Sequence, residues 1–440
     1  MLLLCGGMER TRGVVVNTIT SSHNAAPTAL HRKQHADAKS AMRVIVICAL
    51  AIVFDGYDLF SFATIVPSLL SESSWGLTPV QIWTIASLAT LGMLLGALAA
   101  GMLADLIGRR NVAIGCTAWF SLMMIFCATA ASPEALALFR FSAGVGLGGV
   151  IPVATALTLE SVPQRRRTFY YAWVMGGHPL GGMIAAILAI FLIPKLGWRS
   201  MLWVGALSLA LIVPLALRFL PESSEYAPEV AAKRPHRYSQ AKLIFSRRYA
   251  RNTILFCMAS FAGLLLLYGL NTWMPQIMRA FGRSINSAFG FMIALNLGAA
   301  LGLVFCGEIA DRYRANRAVC IWSFGAGAAA LLILALAELP SLLGYLVAFV
   351  AGLGVIGSQG QLNVLVSSHY PSWARATALG VALGVGRLGA VLGPFAGGVL
   401  LTAQNGALWG LVALAGCACL ACAVLMLVYP PRIDVMCTSG

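Results

Sequence analysis

Charge is what this sequence has least of. Only 10% of its 440 residues are Asp, Glu, Lys or Arg, and just 15 are acidic, whereas a water-soluble domain carries about a quarter charged residues. With 59% hydrophobic residues and a mean hydropathy of +0.84, the chain has more apolar surface than a soluble fold can hide. Lipid is therefore the expected solvent for much of it. Strict polar/apolar alternation is also missing, and the apolar runs are too long for barrel strands, which excludes a membrane β-barrel. Metal-ligand groupings are absent. The 11 cysteines mostly sit inside apolar runs, and Cys417, Cys419 and Cys422 lack His or acidic companions, so all are read as packing thiols with no metal and no cofactor. No nucleophile–base constellation argues for an enzyme. The net charge of +15 lies in short basic patches between apolar runs, without a basic domain or an aromatic platform, so nucleic acid is not an expected partner.

Twelve apolar runs remain, from 42–70 through 168–194, 253–277 and 377–402 to 407–429. Each is close to the ~20 residues that cross a bilayer as a helix. An all-α membrane protein follows, in two six-helix bundles at 42–220 and 253–430. These are joined by a polar linker at 221–252 and flanked by tails at 1–41 and 431–440, the first of them read as disordered with no cleaved signal. Placing the linker and both termini in the cytoplasm puts most of the 30 basic residues on cytoplasmic segments. Lys195, Arg199, Arg279 and Arg283 fall outside, and Arg140 and Arg387 fall within spans. The positive-inside rule thus predicts a multi-pass inner-membrane protein with cytoplasmic termini.

The halves repeat. Gly101-Met-Leu-Ala-Asp105-Leu-Ile-Gly108-Arg109-Arg110 follows the second run, and Gly307-Glu-Ile-Ala-Asp311-Arg312-Tyr follows the eighth. Gly177-His178-Pro179-Leu-Gly-Gly182 in the fifth is echoed by Gly393-Pro394-Phe-Ala-Gly-Gly398 in the eleventh. Paired motifs in two apolar halves point to a site between repeats near mid-membrane. The Gly101–Arg110 stretch resembles the loop signature of the major facilitator superfamily. That resemblance implies a transporter in which Asp105 and its second-half counterpart Asp311 link helix ends to loop arginines. Leu106 departs from the usual basic residue, and the second copy lacks the late glycine.

Within the first run, Phe54-Asp55-Gly56-Tyr57-Asp58-Leu59 places two carboxylates at i and i+3, on one helix face. Each costs about 2.5–3.5 kcal/mol at mid-bilayer, so this face is expected to line a wet cavity. Two such groups close together favour a proton held on one of them near neutral pH; a purely structural hydrogen-bond cluster is the alternative. The Asp-Gly-Tyr-Asp stretch is similar to that of the aromatic acid:proton symporter family. So are Arg140 to Pro152 with Glu160 and Pro163, Tyr268-Gly-Leu-Asn271-Thr-Trp273-Met-Pro275, and the stretch from Tyr370-Pro371 through Gly386-Arg387 to Pro394. Val153 and His178 depart from that family's pattern.

This resemblance implies proton-coupled uptake of a small aromatic carboxylate, benzoate-like or hydroxybenzoate-like, by a protein that works as a monomer. Asp55, Asp58 and Glu160 are then the proton-coupling candidates. Arg387, about ten residues into its helix, is the first choice for the substrate anion, because a guanidinium grips a carboxylate in two-pronged fashion. Arg140 is read as anion-binding or structural. Asn271, Asn296, Gln359, Gln361 and Asn363 offer amides to a ring substituent or glue helices together. Tyr268 and Trp273 stack on the ring, or Trp273 anchors at the interface. His178 is a proton relay or a packing residue before Pro179. Two other functions stay open: a proton antiporter exporting drugs or organic ions, and a transporter-like sensor.

Overall fold

A computed structural model of the chain describes residues 26–163, 167–221, 242–313, 315–371 and 374–429. The side chains of 26–40, Asp105, Asp311 and a few others are excluded from that description, as are most of the linker and the last residues, so the expectations placed on them lie outside it.

Among the described residues, twelve helices are long and apolar enough to cross a membrane. In chain order they are α1 Ala41–Ser71, α2 Pro79–Ala104, α3 Arg109–Thr129, α4 Pro133–Ser161, α5 Phe169–Leu196 and α6 Arg199–Phe219, then α7 Ala250–Ala280, α8 Ile285–Ala310, α9 Asn316–Leu336, α10 Ser341–His369, α11 Thr377–Leu401 and α12 Gly406–Met426. An even number of spans puts the start of α1 and the end of α12 on one side, here the terminal side; the opposite side is distal. The helix containing α1 begins earlier than expected, at Ala26. Ala, Lys, Gln and Arg dominate residues 26–40, and these strong helix formers carry the helix beyond the membrane-spanning part.

Local signals set the helix ends. Thr78 and Gln81 cap each other ahead of α2, with Pro79 at its first position, and Ser132 caps α4 ahead of Pro133, each satisfying backbone N–H groups that no earlier turn can. A single residue, Gly108, separates the helix of α2 from α3, at φ 88°. Only glycine enters that region freely, so the loop motif needs it for the sharp return. Two spans are irregular inside. Pro179 offers no N–H to the Met175 carbonyl and crowds it, and α5 is broken just there, at Gly176. In α10 a wider π-type turn occupies Gly352–Ile356.

In lipid no hydrophobic force separates helix from helix, so close backbone contact and interhelical hydrogen bonds organise the bundle. In the first half, α1 packs on α5, α2 on α4, and α3 on α4 and α6. The second half repeats this six helices later: α7 on α11, α8 on α10, and α9 on α10 and α12. The halves meet along α2–α11 and α5–α8, which the same shift interchanges. At the α1–α5 crossing, a Cβ on Gly56 would strike the backbone of His178, and one on Gly181 the backbone of Val53 and Tyr57. The two glycines let these helices touch main chain to main chain at the level of Asp55.

Candidate functional site

Asp55 and Asp58 are both fully buried, yet they face different partners. Asp58 Oδ1 accepts a hydrogen bond from Arg140 Nη1 of α4 at 3.0 Å. Arg140 is itself 1% exposed, lies over the Phe62 ring and touches the Met124 sulfur. This is an ion pair internal to the first half. Removing one member of such a pair strands a charge, at a cost of about 3–5 kcal/mol. Arg140→Ala should therefore lower the melting temperature of the purified protein markedly, and Asp58→Ala added to it should restore part of the loss. Wild-type melting in Arg140→Ala would contradict this account.

Asp55 has no hydrogen-bond partner on either oxygen. Its nearest polar neighbour is His178 of α5, with Nε2 at 3.5 Å from Oδ2. The imidazole meets the Phe60 ring edge-on at 5.0 Å between centroids. From the second half, Arg387 of α11 is close enough for its charge to act on both Asp55 and His178. Arg387 Nη1 donates to the Tyr268 hydroxyl of α7 at 3.1 Å. Tyr268 thus orients the guanidinium. Asp55, His178, Arg387 and Tyr268 come from four helices and both halves, at roughly mid-height.

The amides lie around this centre. Asn296 Nδ2 donates to Asn271 Oδ1 at 2.7 Å, joining α8 to α7, and each amide also donates to the carbonyl one turn back. Gln359 and Asn363 stand a turn apart on α10, with Gln359 Nε2 donating to Asn363 Oδ1 at 3.4 Å. Gln361 is buried on the same helix, beside Gly307.

Glu160 stands apart from the buried carboxylates. It ends α4 on the terminal side, twenty residues or about 30 Å along the helix from Arg140, and pairs with Arg109 of the loop motif. Arg110 donates to the Leu217 carbonyl of α6 at 2.6 Å. Glu160 is therefore placed with the loop arginines, away from the Asp55 centre. Among the described residues, no three His, Cys, Asp or Glu side chains converge to hold a metal.

Trp273 lies in the distal part of α7. It is buried, and its indole stacks on Trp83 of α2 at 4.0 Å between centroids, with 25° between the planes. The pair joins α2 to α7 across the two halves, near the distal ends of both helices. Gly397 and Gly398 of α11 back it: a Cβ on the first would occupy Trp273, and on the second Trp83. Trp83 does not stand out in the sequence. A lone Trp five residues into a spanning run reads as an interfacial anchor, and only the packed halves reveal its partner.

Two structurally repeated six-helix halves, with charged side chains meeting at mid-height, define a secondary transporter. The family profile of the Major Facilitator Superfamily matches residues 48–387 and 289–435, and the chain belongs to that superfamily. It is 36% identical to the gentisate transporter of Corynebacterium glutamicum, over 82% of this chain and 81% of that one. To the 3-(3-hydroxy-phenyl)propionate transporter of Escherichia coli it is also 36% identical, over 83% and 88%. The benzoate transport protein of Acinetobacter baylyi is 32% identical, over 82% and 84%. Among solved structures, a D-xylose-proton symporter superposes with a TM-score of 0.73 at 16% identity, covering 89% of this chain and 98% of that one, which is a likeness of fold.

Proposed function

We propose that this protein takes up a small aromatic carboxylate together with protons, by alternating access across the inner membrane. One observation carries the reading: Arg387, held by Tyr268 in the second half, is near enough for its charge to act on the buried Asp55 of the first. A fixed guanidinium at mid-height needs an anion, and the candidates are Asp55 and a substrate carboxylate. When a proton neutralises Asp55, Arg387 is released to the arriving anion. When the anion leaves, Asp55 gives up its proton and takes its place. Proton and substrate then move as one electroneutral unit, and the relatives' named aromatic acids supply the substrate class.

Purified protein in proteoliposomes should accumulate labelled gentisate, benzoate or hydroxybenzoates when the outside is acidified. Acid-driven depletion of the acid from the vesicles would turn the reading to an exporter, and binding without counterflow would turn it to a sensor.

The terminal side is read as cytoplasmic, which puts the Arg109, Arg110 and Glu160 cluster inside and the Trp83–Trp273 stack toward the outside. Reporter fusions at Arg432 and near His236 should both give cytoplasmic signals. A periplasmic signal at either site would invert the assignment.

A further inference from the structure

We infer that His178 is the second half of the proton site, so that the transported proton is held between His178 Nε2 and Asp55 Oδ2 and not on the aspartate alone. This rests on the proton-coupled reading above. Asp55 is completely buried with both oxygens unbonded, and His178 Nε2 is likewise buried and unbonded. Buried polar atoms without partners are uncommon and costly. Here two such groups face each other at 3.5 Å, a gap that a small rotation of either side chain closes. With His178 neutral and its own ring proton on Nδ1, one added proton satisfies both, as Oδ2–H donating to Nε2 or as Nε2–H of the imidazolium donating to the carboxylate. No other bond forms or breaks; the proton arrives from the distal water and leaves to the terminal side.

The surrounding helices hold this geometry and supply few competitors. The break in α5 at Gly176 and the glycine contact of α1 with α5 set the imidazole against Asp55, and Phe60 fixes the ring's edge. On α1, Asp58 is occupied by Arg140 of α4, and the Tyr57 hydroxyl donates to the Met201 carbonyl of α6. From α8 the neighbour is the amide Asn296, close to Gly182. From α7 and α11 the charged or titratable groups are Tyr268 and Arg387. The centre therefore holds one negative group, one fixed positive group and one base. With Asp55 ionised and His178 neutral, Arg387 brings the sum to zero. One added proton leaves a single positive charge, which one carboxylate cancels. Each ligand thus favours the other's binding, and that favour is mutual.

The test uses wild type and His178→Gln in proteoliposomes with labelled gentisate and benzoate. Glutamine keeps a polar atom near Asp55 but cannot carry a proton. The variant should retain more of its counterflow at equal pH on both sides than of its acid-driven accumulation. It should lose about tenfold of its acid-driven accumulation, and its half-maximal pH should move to acid by about one unit. Unchanged accumulation and pH profile beside a coupled wild type would sink this inference alone. Equal loss of counterflow and accumulation would also overturn it, making His178 a structural residue. A wild type that counterflows without acid-driven accumulation would sink the coupled reading together with this one. If His178→Gln fails to fold, His178→Asn carries the same comparison.

Discussion

Asp55→Asn should reduce acid-driven accumulation of the aromatic acid to the level of empty vesicles while leaving exchange of the acid intact. Asparagine copies the shape of a protonated carboxyl, so Arg387 is permanently released to the substrate. Carboxylate binding in the purified variant should then become nearly independent of pH, whereas in wild type it should weaken as the solution becomes alkaline and Asp55 reclaims the guanidinium. Asp58→Asn should behave differently, because its first effect is to deprive Arg140 of a buried partner and so to destabilise the first half. The informative comparison is accumulation against counterflow, measured on both variants in the same vesicles. Wild-type accumulation by Asp55→Asn would remove Asp55 from the coupling step.

Arg387→Ala should weaken binding of the aromatic carboxylate by about 2–5 kcal/mol, the usual cost of truncating one member of a buried charge pair, or roughly 30-fold to several thousand-fold in Kd. Arg387→Lys should fall between, since an ammonium lacks the planar fork that grips two carboxylate oxygens while also donating to Tyr268. Tyr268→Phe should keep the charge but lose its orientation, at about tenfold in affinity. Benzamide, which has the ring without the charge, should compete poorly with the acid in wild type. Ligand affinity of the purified variants decides the matter: unchanged carboxylate affinity in both Arg387 variants would leave Arg387 a structural partner of α1.

The fold was legible in the sequence because a bilayer enforces it: each span must be about 20 apolar residues long, and the runs at 168–194 and 341–368 lie within two residues of α5 and α10. The positions of Asp55 and Arg387 near mid-membrane were legible from counting along a helix. The division of labour between the two aspartates was not. Three residues turn a helix by about 300°, so side chains at i and i+3 point about 60° apart. That angle suffices to send Asp58 towards α4 and Asp55 towards α5 and α11. Glu160 illustrates a second limit. Its pairing with Arg109 depends on the return through α3 and α4, which no run of neighbouring residues encodes. Trp83 meets Trp273 across the halves, and no local pattern encodes a contact so distant in sequence.

The Trp83–Trp273 stack also gives the molecule an optical signature. Two indoles held 4.0 Å apart at a fixed angle couple their electronic transitions, and this coupling falls with the cube of their separation. The stack should contribute an exciton couplet to the circular dichroism spectrum, absent from Trp83→Phe despite the other nine tryptophans of the ten in the chain. Any movement of the halves that separates α2 from α7 must part the indoles and extinguish the couplet. The swing of the two halves could thus be followed in unlabelled protein, as a change in light absorption timed against the arrival of the acid.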